Sequence, residues 1–195
     1  MDRYIESLKS NLEASIQAKR EFMDANAQLH NFESAVQLVV KSYKQGGRLY
    51  IAGNGGSAAD AQHLATEFVS KLARPRAPIP AEALTVDTST LTAIGNDYGF
   101  ELIFSRQVLA KMTPKDVFLG ITTSGESLNI VKALEECRRL EFPSIVFSGR
   151  NGGRVKDLAD ICVIATGKTT SGIQEVHMVL YHTLCGCVEN ELFPE

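Results

Sequence analysis

Apolar positions change their rhythm once along this chain. Ile5, Leu8, Leu12, Ile16 and then Phe22 or Met23 recur at three-to-four spacing with charges between them, which predicts an amphipathic helix over residues 2–24. A second stripe, Leu29, Phe32, Val36, Val39, Val40 and Tyr43, predicts another helix that stops at Gly46-Gly47. From Arg48 onward short apolar runs alternate with helical stretches. Strands are expected at Leu49–Ala52, Ala83–Val86, Val117–Ile121, Ser144–Phe147 and Ile161–Ile164. Helices are expected near Ala58–Leu72, Phe100–Lys111, Ser127–Leu140, Arg154–Leu158 and Ile173–Leu192. Strands of four or five residues between helices predict an α/β fold, a parallel sheet covered on both faces and preceded by two helices.

Composition narrows the class. The 195 residues are 44% hydrophobic and 22% charged, enough apolar material for one domain and too much for a disordered chain. A net charge of −3 lacks the basic excess of a nucleic-acid binder. No apolar run approaches the roughly 18 residues of a membrane span, and Met1-Asp2-Arg3-Tyr4 does not open a signal peptide. A cytoplasmic protein is expected. Cys137, Cys162, Cys185 and Cys187 form no C-x-x-C pair and read as small apolar fillers. The three prolines within Arg74–Pro80 read as a stiff exposed loop rather than a domain boundary.

Candidate chemistry lies where strands end. Leu49-Tyr50-Ile51-Ala52 runs into Gly53-Asn54-Gly55-Gly56-Ser57, and Phe118-Leu119-Gly120-Ile121 runs into Thr122-Thr123-Ser124-Gly125-Glu126-Ser127. Glycines admit an anion close to the backbone, and hydroxyls with a helix N-terminus hold phosphate without formal positive charge. The first loop lacks the Gly-Lys-[Ser/Thr] ending of a nucleotide P-loop and the third glycine of a dinucleotide fingerprint. Two such loops at two strand ends point to a phosphate or sugar site. A further strand end, Thr92–Gly99, is expected to present Asn96 and Asp97 in a turn, where they would orient sugar hydroxyls.

His63 and Glu67, four apart on a predicted helix, share a face suited to one divalent ion. Gln174, Glu175, His177 and His182 gather on the last helix. His177 reads equally as a core histidine, and the residues alone do not choose Gln174 over Glu175. Gln174 and His182 are eight residues apart, about 12 Å along a straight helix. One ion can hardly take both from one helix, so the site is expected at a subunit interface, with some ligands donated by a neighbour.

At this point the chain resembles a known family. Ala52-Gly53-Asn54-Gly55-Gly56-Ser57-Ala58-Ala59-Asp60-Ala61-Gln62-His63 with Glu67 is similar to the phosphoheptose isomerases, the sedoheptulose 7-phosphate isomerases among sugar-isomerase (SIS) domains. So are Thr90-Leu91-Thr92-Ala93-Ile94-Gly95-Asn96-Asp97-Tyr98-Gly99, Thr122-Thr123-Ser124-Gly125-Glu126-Ser127 and Ile173-Gln174-Glu175-Val176-His177. The resemblance runs along nearly the whole chain. It implies a three-layer, flavodoxin-like SIS sandwich with a five-stranded parallel sheet spanning residues 1–195. Residues 1–46 would be a helical extension used in oligomerisation.

The resemblance further implies a homotetramer with one Zn²⁺ per subunit. The metal ligands would be His63, Glu67, Gln174 and His182. Thr122, Thr123, Ser124 and Ser127 would hold the phosphate of a seven-carbon sugar, and Asn54, Gly55, Gly56, Asn96 and Asp97 the sugar, with Glu67 and Gln174 also touching it. The implied reaction converts sedoheptulose 7-phosphate to D-glycero-D-manno-heptose 7-phosphate, an early step toward bacterial surface heptose. Glu67 is the expected base and His182 the expected acid, since imidazole titrates near working pH. Lys71 stands where the family frequently has Arg, and Lys168-Thr169-Thr170-Ser171 where some members carry Asp. Other classes compatible with the fold are a non-catalytic regulator, like the replication-initiator-associating protein, and a phosphosugar-sensing module. A regulator would need no metal ligands, and a sensor would need the 122–127 loop but no base.

Overall fold

A computed structural model describes residues 2–194. Two helices lead, α1 (Asp2–Met23) and α2 (Asn26–Lys44), as the stripes predict. Then come β1 (Leu49–Gly53), α3 (Gly56–Val69), β2 (Ala81–Ala83), α4 (Thr88–Tyr98) and α5 (Ser105–Lys111). The chain continues through β3 (Val117–Ile121), α6 (Leu128–Leu140), β4 (Ser144–Gly149), β5 (Ile161–Ala165) and α7 (Thr170–Leu192). All five strands pair in parallel, in the order β2-β1-β3-β4-β5.

Alternation along the strands separates two cores. Leu49 and Ile51, Val117, Leu119 and Ile121, and Ile145 and Phe147 face one side, where α2, α3 and α7 supply Val39, Leu64, Phe68 and Tyr181. Tyr50 and Ala52, Phe118 and Val146 face the other, against Val108 of α5 and Ile130 and Leu134 of α6. Side chains on successive strand residues point to opposite faces, so central strands can be buried throughout, and β1, β3 and β4 are. The edge strand β5 is guarded by α2: Asn31 Nδ2 donates to the Cys162 carbonyl, and the Ile164 N–H donates to Gln28 Oε1.

Three local expectations are corrected. Strand β2 is Ala81–Ala83, not Ala83–Val86, because Leu49–Ile51 pair with 81–83 in register and the chain leaves the sheet there. Asn96 and Asp97 lie in the last turn of a helix, not in a turn after a strand. Asp87 caps that helix by accepting from the Thr90 N–H, and none of its residues is buried, so the periodic apolar signal was weak. The stretch 100–111 divides into a 3₁₀ turn (Phe100–Leu102) and α5, while the short helix after β4 is also 3₁₀ (Gly153–Asp157).

The strand order reverses between β1 and β3. Their adjacent carboxyl ends open the crevice where ligands bind in such sheets. Both glycine-and-hydroxyl loops leave from that crevice.

Candidate active site

The loop after β3 is wired by its own hydroxyls. Thr122, buried, lies with its Oγ1 3.2 Å from Ser127 Oγ and 3.5 Å from Ser124 Oγ, and it accepts from the Gly125 N–H at 3.3 Å. The Glu126 N–H donates to Ser124 Oγ at 3.1 Å. Ser127 precedes α6 without its side chain capping the helix, so hydroxyls and the helix N-terminus meet at one spot. Gly125 has φ +72°, and a Cβ there would sit 2.2 Å from the Gly152 carbonyl oxygen, so only glycine fits. Thr123 shares this loop, half-buried.

Asn54 ties the two loops together. Its Nδ2 donates to Asn129 Oδ1 at 2.9 Å, and Asn129 Nδ2 donates back to Asn54 Oδ1 at 2.8 Å. This reciprocal amide pair spans the crevice between β1 and α6. Gly55, at φ +54°, turns the chain into α3, and Gly56 opens that helix against the Gln174 amide. The Asn96 Nδ2 donates to its neighbour Asp97 at 2.8 Å, and both side chains are exposed at the end of α4.

Three side chains from α3 and α7 converge. His63 Nε2 is 3.1 Å from Glu67 Oε1 and 3.5 Å from His182 Nε2, and one donor atom from each residue lies within 4.8 Å of the others. Two imidazole nitrogens each about 2.05 Å from one tetrahedral ion would be about 3.3 Å apart. The observed separations match that edge. On its other side, His63 Nδ1 faces the Tyr181 hydroxyl at 3.1 Å, which leaves Nε2 free to point at the cluster. The donor set therefore fits a divalent ion such as zinc.

Behind this cluster runs a chain of polar groups of which the sequence singles out Gln174 but not Asp60 or Tyr181. Gln174 Nε2 donates to Asp60 Oδ2 at 3.0 Å, and the Tyr181 hydroxyl is 3.5 Å from Asp60 Oδ1. Burial raises the Asp60 carboxyl above its usual range, against hydrogen bonds from Gln174 and Tyr181 that lower it. Burial first, then Asp60, pushes the Tyr181 phenol up to about 12. The three-to-four spacing Asp60, His63, Glu67 places all three on one face of α3, a signal available in the sequence. Tyr181 carried none, since an aromatic on an apolar face reads as core.

Of the other polar residues on α7, Glu175 faces away and pairs with Lys19 at 3.5 Å. His177 is a core histidine: fully buried, its Nε2 donates to the Ser148 carbonyl at 2.8 Å. Burial lowers its pKa to about 4, against the raising effect of that hydrogen bond. Cys137 and Cys185 are buried thiols pushed up to about 12 chiefly by burial, as inert fillers should be.

A family model, the SIS domain, matches residues 10–149. Phosphoheptose isomerase 2 of Campylobacter jejuni is 47% identical over 186 residues, covering 95% of this chain and 92% of that protein. The phosphoheptose isomerase of Aneurinibacillus thermoaerophilus is 44% identical, covering 95% and 94%. Among solved structures, the phosphoheptose isomerase of Neisseria gonorrhoeae superposes with a TM-score of 0.89 at 36% identity, covering 96% of this chain and 99% of that one. The one from Francisella tularensis gives 0.90 at 37%, covering 96% and 98%. On fold, loops and sequence alike, this chain belongs to the phosphoheptose isomerase family.

Proposed function

We propose that this chain, an isomerase by family, interconverts sedoheptulose 7-phosphate and D-glycero-D-manno-heptose 7-phosphate by metal-assisted enediol proton transfer. The convergence of His63, Glu67 and His182 between α3 and α7, linked through Tyr181 and Asp60 to Gln174 beside Gly56 of the β1 loop, carries this reading. A phosphosugar sensor would need the 122–127 loop alone, and a regulator of this fold would need neither base nor acid.

The phosphate anchors the substrate at Thr122, Thr123, Ser124 and Ser127, where backbone N–H groups and hydroxyls replace a positive charge. Binding energy spent there positions the reacting carbons at the far end of the sugar. Asn54, Gly55, Gly56, Asn96 and Asp97 line the path of the chain hydroxyls. Asn96 and Asp97 point to solvent within this chain, so they meet a sugar only if it extends along α4 or if a neighbour closes over it.

His63, Glu67, Gln174 and His182 would hold one Zn²⁺ per subunit, which when bound polarises the sugar carbonyl and stabilises developing negative charge. Glu67 has two oxygens: Oε1 faces His63, and the other is free to take the proton at C1. His182, if it holds the ion through Nε2, would return a proton to oxygen from its Nδ1–H. In this chain the Gln174 amide rests against Asp60 and Gly56, two turns from His182 on α7, so as a fourth ligand it would have to leave Asp60 or come from a neighbouring subunit.

Assembly, as a homotetramer, is supported by α1, part of the extension over residues 1–46. Ile5, Leu8, Leu12 and Ile16 stay 49–59% exposed on one stripe, an area a second copy would cover. The site would then lie at a subunit interface. Among the described residues no helix is long and apolar enough to cross a membrane. A sugar-phosphate substrate supports work in the cytoplasm, early in bacterial surface heptose synthesis, and the net charge of −3 favours no nucleic-acid partner. Turnover of Glu67→Gln and His182→Ala tests the roles: each is expected to lose at least about a thousandfold in kcat. Full turnover by both would remove the site assignment.

A further inference from the structure

Of the two arginines in the proline-rich segment, Arg74 stays partly exposed with its Nε 3.9 Å from Glu189 Oε1, while Arg76 lies out of solvent against the C-terminal end of α3. Arg76 has a side chain only 2% exposed, and its partner Glu189 on α7 is 3% exposed. Arg76 Nε donates to Glu189 Oε2 at 2.8 Å. Nη2 donates to the backbone carbonyl of Glu67 at 2.8 Å, and Nη1 to those of Phe68 at 2.7 Å, Ala77 at 3.1 Å and Ser70 at 3.4 Å. The last carbonyls of a helix lack intrahelical partners, and a planar guanidinium with five donors can satisfy several at once. One guanidinium thus grips the C-terminal end of α3 and binds it to α7.

The two ends it joins carry the candidate ligands. Glu67 is gripped through its own carbonyl. Glu189 follows His182 by seven residues, about two turns, so both lie along the same side of α7. We infer that Arg76, fixed by Glu189, is a positioning residue: it sets the separation between the Glu67 carboxylate and the His182 imidazole, and so the geometry of the metal site. This rests on the reading of His63, Glu67 and His182 as ligands. Lysine cannot serve, because a single ammonium cannot reach Glu189 and the α3 carbonyls together.

Cobalt(II) titration of the full-length protein tests it, with affinity and the visible d–d spectrum as readouts and urea unfolding as the check on folding. Arg76→Lys is expected to bind Co²⁺ about tenfold or more weakly, with an altered d–d band, in protein that still unfolds cooperatively. Replacing the pair by Arg76→Met with Glu189→Met removes both buried charges together, a change that commonly preserves folding, and leaves the partly exposed Arg74 its bond to the Phe193 carbonyl; it is expected to show the same loss. Folded variants with wild-type affinity and spectrum would overturn the inference and leave the metal site intact. Wild-type protein that binds no Co²⁺, or His63→Ala that binds it unchanged, would instead overturn the metal-site reading beneath it.

Discussion

Gly56→Ala separates the Gln174 contact from the stability of the fold. Gly56 is the first residue of α3, and it needs no left-handed backbone there. A Cβ at this position would lie 2.4 Å from Gln174 Nε2 and 2.7 Å from its Oε1, where ordinary contact begins at 3.4 Å. The amide must therefore retreat by about 1 Å, which breaks its 3.0 Å bond to Asp60. Losing that bond to a buried carboxylate costs about 1.5–3 kcal/mol. Alanine returns only part of the ~1 kcal/mol it gains over glycine in a helix interior, so the net loss of stability is about 1–2 kcal/mol. A 1 Å misplacement of a substrate-positioning group costs about a hundredfold in rate, or about 2.7 kcal/mol of transition-state stabilisation. The variant is expected to unfold cooperatively within about 2 kcal/mol of wild type in urea while kcat/KM for sedoheptulose 7-phosphate, read from aldose signals by NMR in folded protein, falls about a hundredfold. Wild-type kcat/KM would refute the reasoning. So would a loss of rate that only tracks a loss of folded protein.

Three further outcomes are expected. Thr122→Val removes the hydroxyl that gathers Ser124, Ser127 and the Gly125 N–H, and competitive inhibition by inorganic phosphate should weaken at least about tenfold with Co²⁺ affinity unchanged; equal inhibition would remove the loop from phosphate binding. Leu8→Glu with Leu12→Glu charges the exposed stripe of α1, and sedimentation should show dissociated subunits with reduced activity, whereas an intact assembly would place the interface elsewhere. His177 is neutral when folded, with a pKa of about 4 against about 6.5 in the unfolded chain. Its contribution is complete above pH 6.5 and falls as pH drops toward 4, because only the unfolded chain takes up the proton there, for a total of about 3 kcal/mol. His177→Gln should flatten the urea midpoint between pH 7 and 4.5; an unchanged slope would contradict this.

What the sequence made legible follows from how each signal arises. Central strands announced themselves as apolar runs because both faces are covered, and β1 and β3 were found to within a residue. α4 sends no such signal, because nothing on it is buried and no stripe marks it, and Asn96 and Asp97 read as turn residues for that reason. β2 slipped because its boundary depends on pairing with β1, which is a long-range fact. His63 and Glu67 were visible as a spacing on one helix. Their meeting with His182 was not, since that depends on α3 and α7 packing side by side. Arg76 gave no local hint at all: among prolines it reads as a solvated loop residue, and only folding turns it inward onto Glu189.

The central claim is that this chain isomerises a heptose phosphate with the help of a divalent ion held by His63, Glu67 and His182. Purified protein stripped of metal, then supplied with Zn²⁺ and sedoheptulose 7-phosphate, should convert ketose to aldose in the NMR spectrum, and should stop on chelation. No aldose with Zn²⁺ present, or undiminished conversion in stripped and chelated protein, would contradict it.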